Sequence, residues 1–248
     1  MADVKIIEIE NLSKAFGDKV ILDNVSLDVK TGENLVVFGR SGTGKSVLLK
    51  CIIGLLKPDN GNILIKGQDI TKVTHKELNN IRKHTGFLFQ GAALYDSMTV
   101  RENLDFHLRR NRNITDKEAE EKILNTLDLV SLREAIDKMP SELSGGMKKR
   151  IGLARSIITE PEIIFYDEPT TGLDPISSKE ISELIRDLQK ELNMTSIIVT
   201  HDLICANFIA DRAIFLKDAK IAYEGTLEEL TNSNDKYLRN FFSTNLIT

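Results

Sequence analysis

The sequence predicts an α/β protein with a mixed sheet core, an antiparallel β part and an inserted helical subdomain. Two observations predict it. Strand-like runs alternate with helical stretches at both ends of the 248 residues, the pattern of a sheet layered with helices. Between them, roughly from Ala92 to Glu160, the β-branched alternation gives way to amphipathic spacing such as Ala119, Ile123, Leu124 and Leu127.

The elements follow in order. Ile6–Ile9, Val25–Val29 and Asn34–Phe38 carry the branched apolar residues that strands favour, with Asp18 and Asp23-Asn24 read as turns between them. From Lys45 to Leu56 apolar residues surround the axis, which predicts a helix buried on nearly all sides and stopped by Pro58 and Gly61. Ile63–Lys66 and Gly86–Phe89 are further strands. After the helical middle, Ile163–Tyr166 and Ser196–Thr200 read as strands flanking a helix over Ser177–Leu192. Ala213–Leu216 and Lys220–Tyr223 form a hairpin turning at Asp218. The expected division is a core of residues 1–91 and 161–248, ending in a C-terminal tail, with residues 92–160 as the insertion. There is no internal repeat and no low-complexity segment.

Composition narrows the class. Lys plus Arg total 33 against 37 Asp plus Glu, a formal net charge of -4, which argues against nucleic-acid backbone as the main partner. Cys51 and Cys205 are the only two cysteines and have no paired spacing, so a disulfide framework or zinc knuckle is not expected, and a reducing compartment fits best. The longest apolar stretch, Val47–Leu56, is broken by Lys50 and falls far short of the ~18 residues of a membrane span. Met1-Ala2-Asp3-Val4 lacks the cationic and apolar regions of a signal peptide.

Residues 39–46 read G-R-S-G-T-G-K-S and match G-x-x-x-x-G-K-[ST] at every fixed position. Gly39, Gly42 and Gly44 let the backbone bend around Arg40, Ser41 and Thr43, so that several N–H groups converge on phosphate oxygens. The helix that follows adds the partial positive charge of its N-terminus. Lys45 reaches toward the β- and γ-phosphates of a nucleotide, and the Ser46 hydroxyl completes a Mg²⁺ shell. Ile163-Ile164-Phe165-Tyr166 then runs into Asp167-Glu168, at the strand end where ligands sit in open α/β sheets. Asp167 suits Mg²⁺ held through water. Glu168 suits the role of base toward an attacking water, help worth about 10²–10⁴ in rate.

Residues 143–147 read L-S-G-G-M. Together with the phosphate loop and the acidic pair, in that order along nearly the whole chain, they resemble the ATPase subunits of ATP-binding cassette (ABC) transporters, and so imply the ABC ATPase variant of the P-loop fold. The resemblance implies ATP and Mg²⁺ as ligands. It assigns Phe16 to stacking on adenine, Gln90 to sensing Mg²⁺ and water, and Ser144, Gly145 and Gly146 to the signature motif. It makes Asp174 the D-loop aspartate and His201 the switch histidine at the γ-phosphate. In the family the signature faces ATP held by another copy, which implies a homodimer. Each residue also has a plainer reading: Phe16 as a core side chain, His201 as structural, Ser144 as a helix cap without ligand. Lys148-Lys149-Arg150 reads by default as a solvated basic face.

The stretch Gly91-Ala92-Ala93-Leu94-Tyr95-Asp96-Ser97-Met98, with S-G-G-M-K-K-R, is similar to the ATPases of Mla-type phospholipid transporters. That similarity implies integral-membrane permease subunits, an MCE-domain lipid-binding protein and a peripheral position on the cytoplasmic face of the inner membrane. Leu94, Tyr95 and Met98 then present an apolar groove to a permease helix, or else pack the subdomain's own core. Tyr237, Leu238, Phe241 and Phe242 form an aromatic helix face, expected to pack on the sister subunit or a small regulatory partner. The alternatives are a soluble ABC ATPase for assembly or repair, an ABC transporter with another substrate, or a regulatory module without turnover.

Overall fold

The computed structural model describes residues 4–111 and 114–244, so Met1-Ala2-Asp3 lies outside the described residues. Two sheets form the frame. The first, antiparallel, takes β1 (Lys5–Phe16), β2 (Lys19–Lys30), β4 (Asn60–Ile65) and β5 (Gln68–Asp69) in the order β2-β1-β4-β5. The second takes β3 (Asn34–Phe38), β6 (Thr85–Leu88), β7 (Ile163–Asp167), β8 (Thr195–Val199), β9 (Arg212–Lys217) and β10 (Lys220–Gly225) in the order β10-β9-β3-β8-β7-β6. All its pairings are parallel except β9 with β10.

The parallel strands are continuous apolar runs because both their faces are covered. Successive side chains point to opposite faces and enter two separate cores. Leu35, Val37, Ile163, Phe165 and Ile197 join Ile7, Ile9, Leu22 and Val25 of the antiparallel sheet, with Leu48 and Leu49 of α1 (Lys45–Ile52) between the sheets. Val36, Phe38, Ile164, Tyr166, Ile198 and Phe215 face the other way. There they meet the helices α3 (Val100–Asn111), α4 (Asp116–Leu129), α5 (Gly145–Ile157), α6 (Pro175–Leu192) and α7 (Leu203–Ile209). Each such side chain, fully buried, contributes about 1.5–3 kcal/mol. The neighbours β6 and β7 bracket the helical stretch, so the chain leaves the sheet and returns beside its point of departure.

Several expectations are corrected here. The helix predicted over Lys45–Leu56 ends at Ile52, closed by Gly54 at φ +71 rather than by Pro58 or Gly61. Asp23-Asn24 is not a turn. Leu22 and Val25 on either side are both buried, so β2 runs through, and the extra length is absorbed as a bulge with Asn24 at φ +53. The helix expected from Ser177 starts at Pro175, because Asp174 caps it and proline is favoured in its first turn. The hairpin does turn at Asp218, with Asp218 and Ala219 both at positive φ, as a two-residue loop between twisted strands requires.

The largest correction concerns the tail. After α2 (His75–Arg82), between β5 and β6, and α8 (Leu227–Thr231) near the end of the chain, α9 (Lys236–Thr244) lies over the chain's own core. Phe242 meets Phe38 edge-on at 5.4 Å and Phe241 meets Phe215 at 4.8 Å between ring centroids, a favoured aromatic geometry. Leu238, Phe241 and Phe242 are buried, so the aromatic face is already covered and is not offered to a sister subunit.

Candidate ATP site

The phosphate loop joins the end of β3 to the start of α1. Gly44 takes φ +101 as the cap of that helix, and a Cβ there would stand 2.8 Å from the Ile21 carbonyl oxygen. The Lys45 ammonium is buried and donates to the carbonyls of Gly39 at 2.8 Å and Arg40 at 3.3 Å. It lies 3.9 Å from Glu168 Oε1. Burial pulls its pKa below the ordinary lysine value, while Glu168 and Asp167 pull the other way. Thr43 donates its hydroxyl to the Arg40 carbonyl at 2.8 Å and so braces the loop internally.

At the carboxyl end of β7 two oxygens meet. Ser46 donates its hydroxyl to Asp167 Oδ1 at 2.9 Å. Burial raises the Asp167 pKa, and the Ser46 hydrogen bond opposes the rise. A half-buried carboxylate beside a hydroxyl is a hard-oxygen set of the kind Mg²⁺ takes with phosphate oxygens and water. The residues fit that ion.

Glu168 holds a left-handed backbone at φ +52, uncommon outside glycine. One oxygen, Oε2, lies 2.8 Å from His201 Nδ1 and accepts from the Thr171 hydroxyl at 3.3 Å. The hydrogen bond to Glu168 raises the His201 pKa above its ordinary 6.5, against a smaller opposing effect of burial. The sign follows. The pair's contribution is complete below about 6.5 and fades as pH rises through the raised folded value. A histidine-selective NMR titration should therefore place His201 above 6.5 and move it down when Glu168 is replaced by Gln; an unmoved value would remove Glu168 as the cause.

A cleft of about 890 Å³ gathers these groups: the loop glycines, Arg40, Ser41, Lys45, Ser46, Gln90, Glu168 and His201. Ser144, Gly145, Gly146 and Asp174 do not line it. They line a separate cleft of about 370 Å³, where Ser144 caps α5 by accepting from the Met147 amide at 3.2 Å and Asp174 caps α6. Phe16 is 51% exposed, which removes the core reading, and it does not line the larger cleft.

Some roles at the site escaped the sequence reading. Ile21, Asn240 and Phe241 line the larger cleft, and Tyr237 lies under the Arg40 guanidinium at 4.9 Å. Asn103 is fully buried: Oδ1 accepts from the Tyr95 amide at 2.8 Å, and Nδ2 donates to the carbonyls of Tyr95, Met98 and Thr99. Lys149 and Arg155 are buried and donate to backbone carbonyls of residues 90, 92, 93 and 168, so Lys149 is no part of a solvated face. The spacing of Tyr237 and Phe241 was the legible signal among them, and it marked a helix face rather than a place at the cleft.

A family model described as ABC transporter matches residues 22–171. The chain is 44% identical over 230 residues to the intermembrane phospholipid transport system ATP-binding protein MlaF of Haemophilus influenzae, covering 93% of this chain and 87% of that protein. It is 41% identical over 237 residues to the probable ribonucleotide transport ATP-binding protein mkl of Mycobacterium leprae, covering 96% of this chain and 68% of that one. Among solved structures it is similar to the dimeric post-hydrolysis state of the ATP-binding cassette MJ0796 bound to ADP and Pi. The TM-score is 0.81 at 32% identity, over 89% of this chain and 98% of that one. These likenesses and the chemistry of the larger cleft lead to one family: the chain belongs to the ABC transporters, as a nucleotide-binding subunit that hydrolyses ATP.

Proposed function

We propose that this subunit powers phospholipid transport between membranes, working as a homodimer on an integral-membrane permease with an MCE-domain lipid-binding protein. The observation that carries the substrate is the 44% identity, nearly end to end, with a phospholipid transport ATPase. The position is peripheral, on the cytoplasmic face of the inner membrane; among the described residues no helix is long and apolar enough to cross a membrane. Tyr95 is 44% exposed and meets Phe106 edge-on at 5.4 Å, an aromatic pair on the surface that suits a permease helix.

The two clefts support the dimer. A single chain separates its phosphate loop from its signature, so a second copy brings Ser144, Gly145, Gly146 and Asp174 to the nucleotide held by the first. The loop amides, Lys45 and the N-terminus of α1 bind and orient the phosphates. Phe16 stacks on adenine from outside the cleft. Ser46, Asp167 and Gln90 would hold Mg²⁺, which would neutralise charge on the phosphates. Glu168 accepts the proton of the attacking water, and His201, hydrogen-bonded to it, sits where the γ-phosphate departs.

The likeness to a probable ribonucleotide transport protein favours a second reading, the same machine with another substrate. Affinity purification from detergent-solubilised membranes separates them. The expected result is a stoichiometric polytopic partner with co-purified phospholipid. A polytopic partner without lipid overturns the substrate, and no membrane partner at all favours a soluble ABC ATPase.

A further inference from the structure

Lys149 stands five residues beyond Ser144, on the helix that opens with the signature. It is 5% exposed despite its place in the run Lys148-Lys149-Arg150. Its ammonium donates to the Gln90 carbonyl and, at 3.3 Å, to the Glu168 carbonyl. One side chain thereby joins α5 to the backbone of two residues that line the ATP cleft from different elements.

The surroundings fix the same geometry. Gly152, one turn along, lets α5 approach closely: a Cβ there would come within 2.9 Å of the Ala92 Cβ. Arg155, on the same side, donates to the Ala92 and Ala93 carbonyls, whose residues stand at φ +61 and +52. Glu168 is held from both ends of its peptide. Its amide donates to the Val199 carbonyl at 2.8 Å and its own carbonyl accepts from Lys149. Burial draws the Lys149 pKa down, while Glu168 and Asp167 oppose that fall and favour the charged form. An ammonium has three donors, and here they serve the Gln90 carbonyl and share the Glu168 carbonyl with the Thr171 amide, which donates to it at 3.3 Å.

We propose that Lys149 is a positioning residue for ATP hydrolysis, tying the backbones of Gln90 and Glu168 to the signature helix so that Glu168 is aimed only while α5 is seated. The proposal rests on Glu168 as the base. It makes the active chemistry sensitive to the placement of a helix whose N-terminus faces the other copy's nucleotide.

The test uses the full chain, with steady-state phosphate release and a separate MgATP binding titration. Lys149→Met removes every donor. Its kcat should fall about 10- to 100-fold, the cost of misplacing a catalytic group by a fraction of an ångström to one ångström. ATP affinity should stay within about threefold, and Lys149→Arg, which reaches two carbonyls, should recover most of the loss. If the methionine variant does not fold, Lys149→Gln, which keeps one donor pair, supplies the same kcat-against-binding comparison. Wild-type kcat in the donor-deficient variant overturns the proposal. So does an equal loss of kcat and affinity without rescue by arginine, the mark of a merely structural role. Glu168→Gln is run beside them: if that variant turns over normally the base assignment falls, whereas a normal Lys149→Met with an inactive Glu168→Gln removes only the role given to Lys149.

Discussion

Replacing Glu168 by glutamine should lower ATP turnover by about 10²–10⁴ while leaving MgATP binding close to wild type. Glutamine keeps the shape, and its carbonyl oxygen still accepts from the Thr171 hydroxyl, 3.3 Å away in the native chain. What it loses is the capacity to take a proton. Lys45, the loop glycines and the helix N-terminus are untouched, so the phosphates are still held. With hydrolysis blocked, the closed pair of chains has no route to reopen, and gel filtration in MgATP should show a persistent dimer absent in ADP. Phosphate release at the wild-type rate would sink the assignment. Binding lost together with turnover would place Glu168 among the structural supports of the cleft instead.

Phe242→Ala should destabilise the fold by about 3–5 kcal/mol, the usual cost of removing a large buried aromatic. Phe242 is 2% exposed and packs edge-on against both Phe38 of β3 and its own neighbour Phe241. The void opens directly behind Phe38, the last residue before the phosphate loop. Chemical denaturation measures the loss, and because the site lies across that strand, ATP affinity should weaken as well. A change below about 1 kcal/mol would mean that α9 leaves the core readily and that its aromatic face is free for a partner after all.

The two residues show where sequence reading succeeds and where it stops. Asp167-Glu168 was legible because an apolar run ending in acids marks a strand end, and the strand end is where parallel sheets put their chemistry. The phosphate loop was legible because its spacing is dictated by backbone geometry rather than by distant packing. The tail was half legible. Spacing at Leu238, Phe241 and Phe242 defines a buried face, but periodicity is silent on what covers it, and β3 with β9 covers it here. Lys149 was misread for a related reason. A basic run at a helix start is ordinarily wet, and only the three-dimensional approach of α5 to residue 90 brings the Gln90 carbonyl within reach of the Lys149 ammonium. Asn24 likewise carries turn chemistry that the burial of Leu22 and Val25 overrules.

The bend after β6 has a mechanical meaning. From Gln90 to Thr99 the backbone is fastened by Lys149, Arg155 and the four hydrogen bonds of Asn103, with Tyr95 near its middle. Such a segment behaves as a taut strap. A load applied to the Tyr95 ring has little slack to take up before it reaches the peptide of Gln90, five residues away. The same hydrogen bonds thus join an exposed aromatic ring to the wall of the cleft that Gln90 lines.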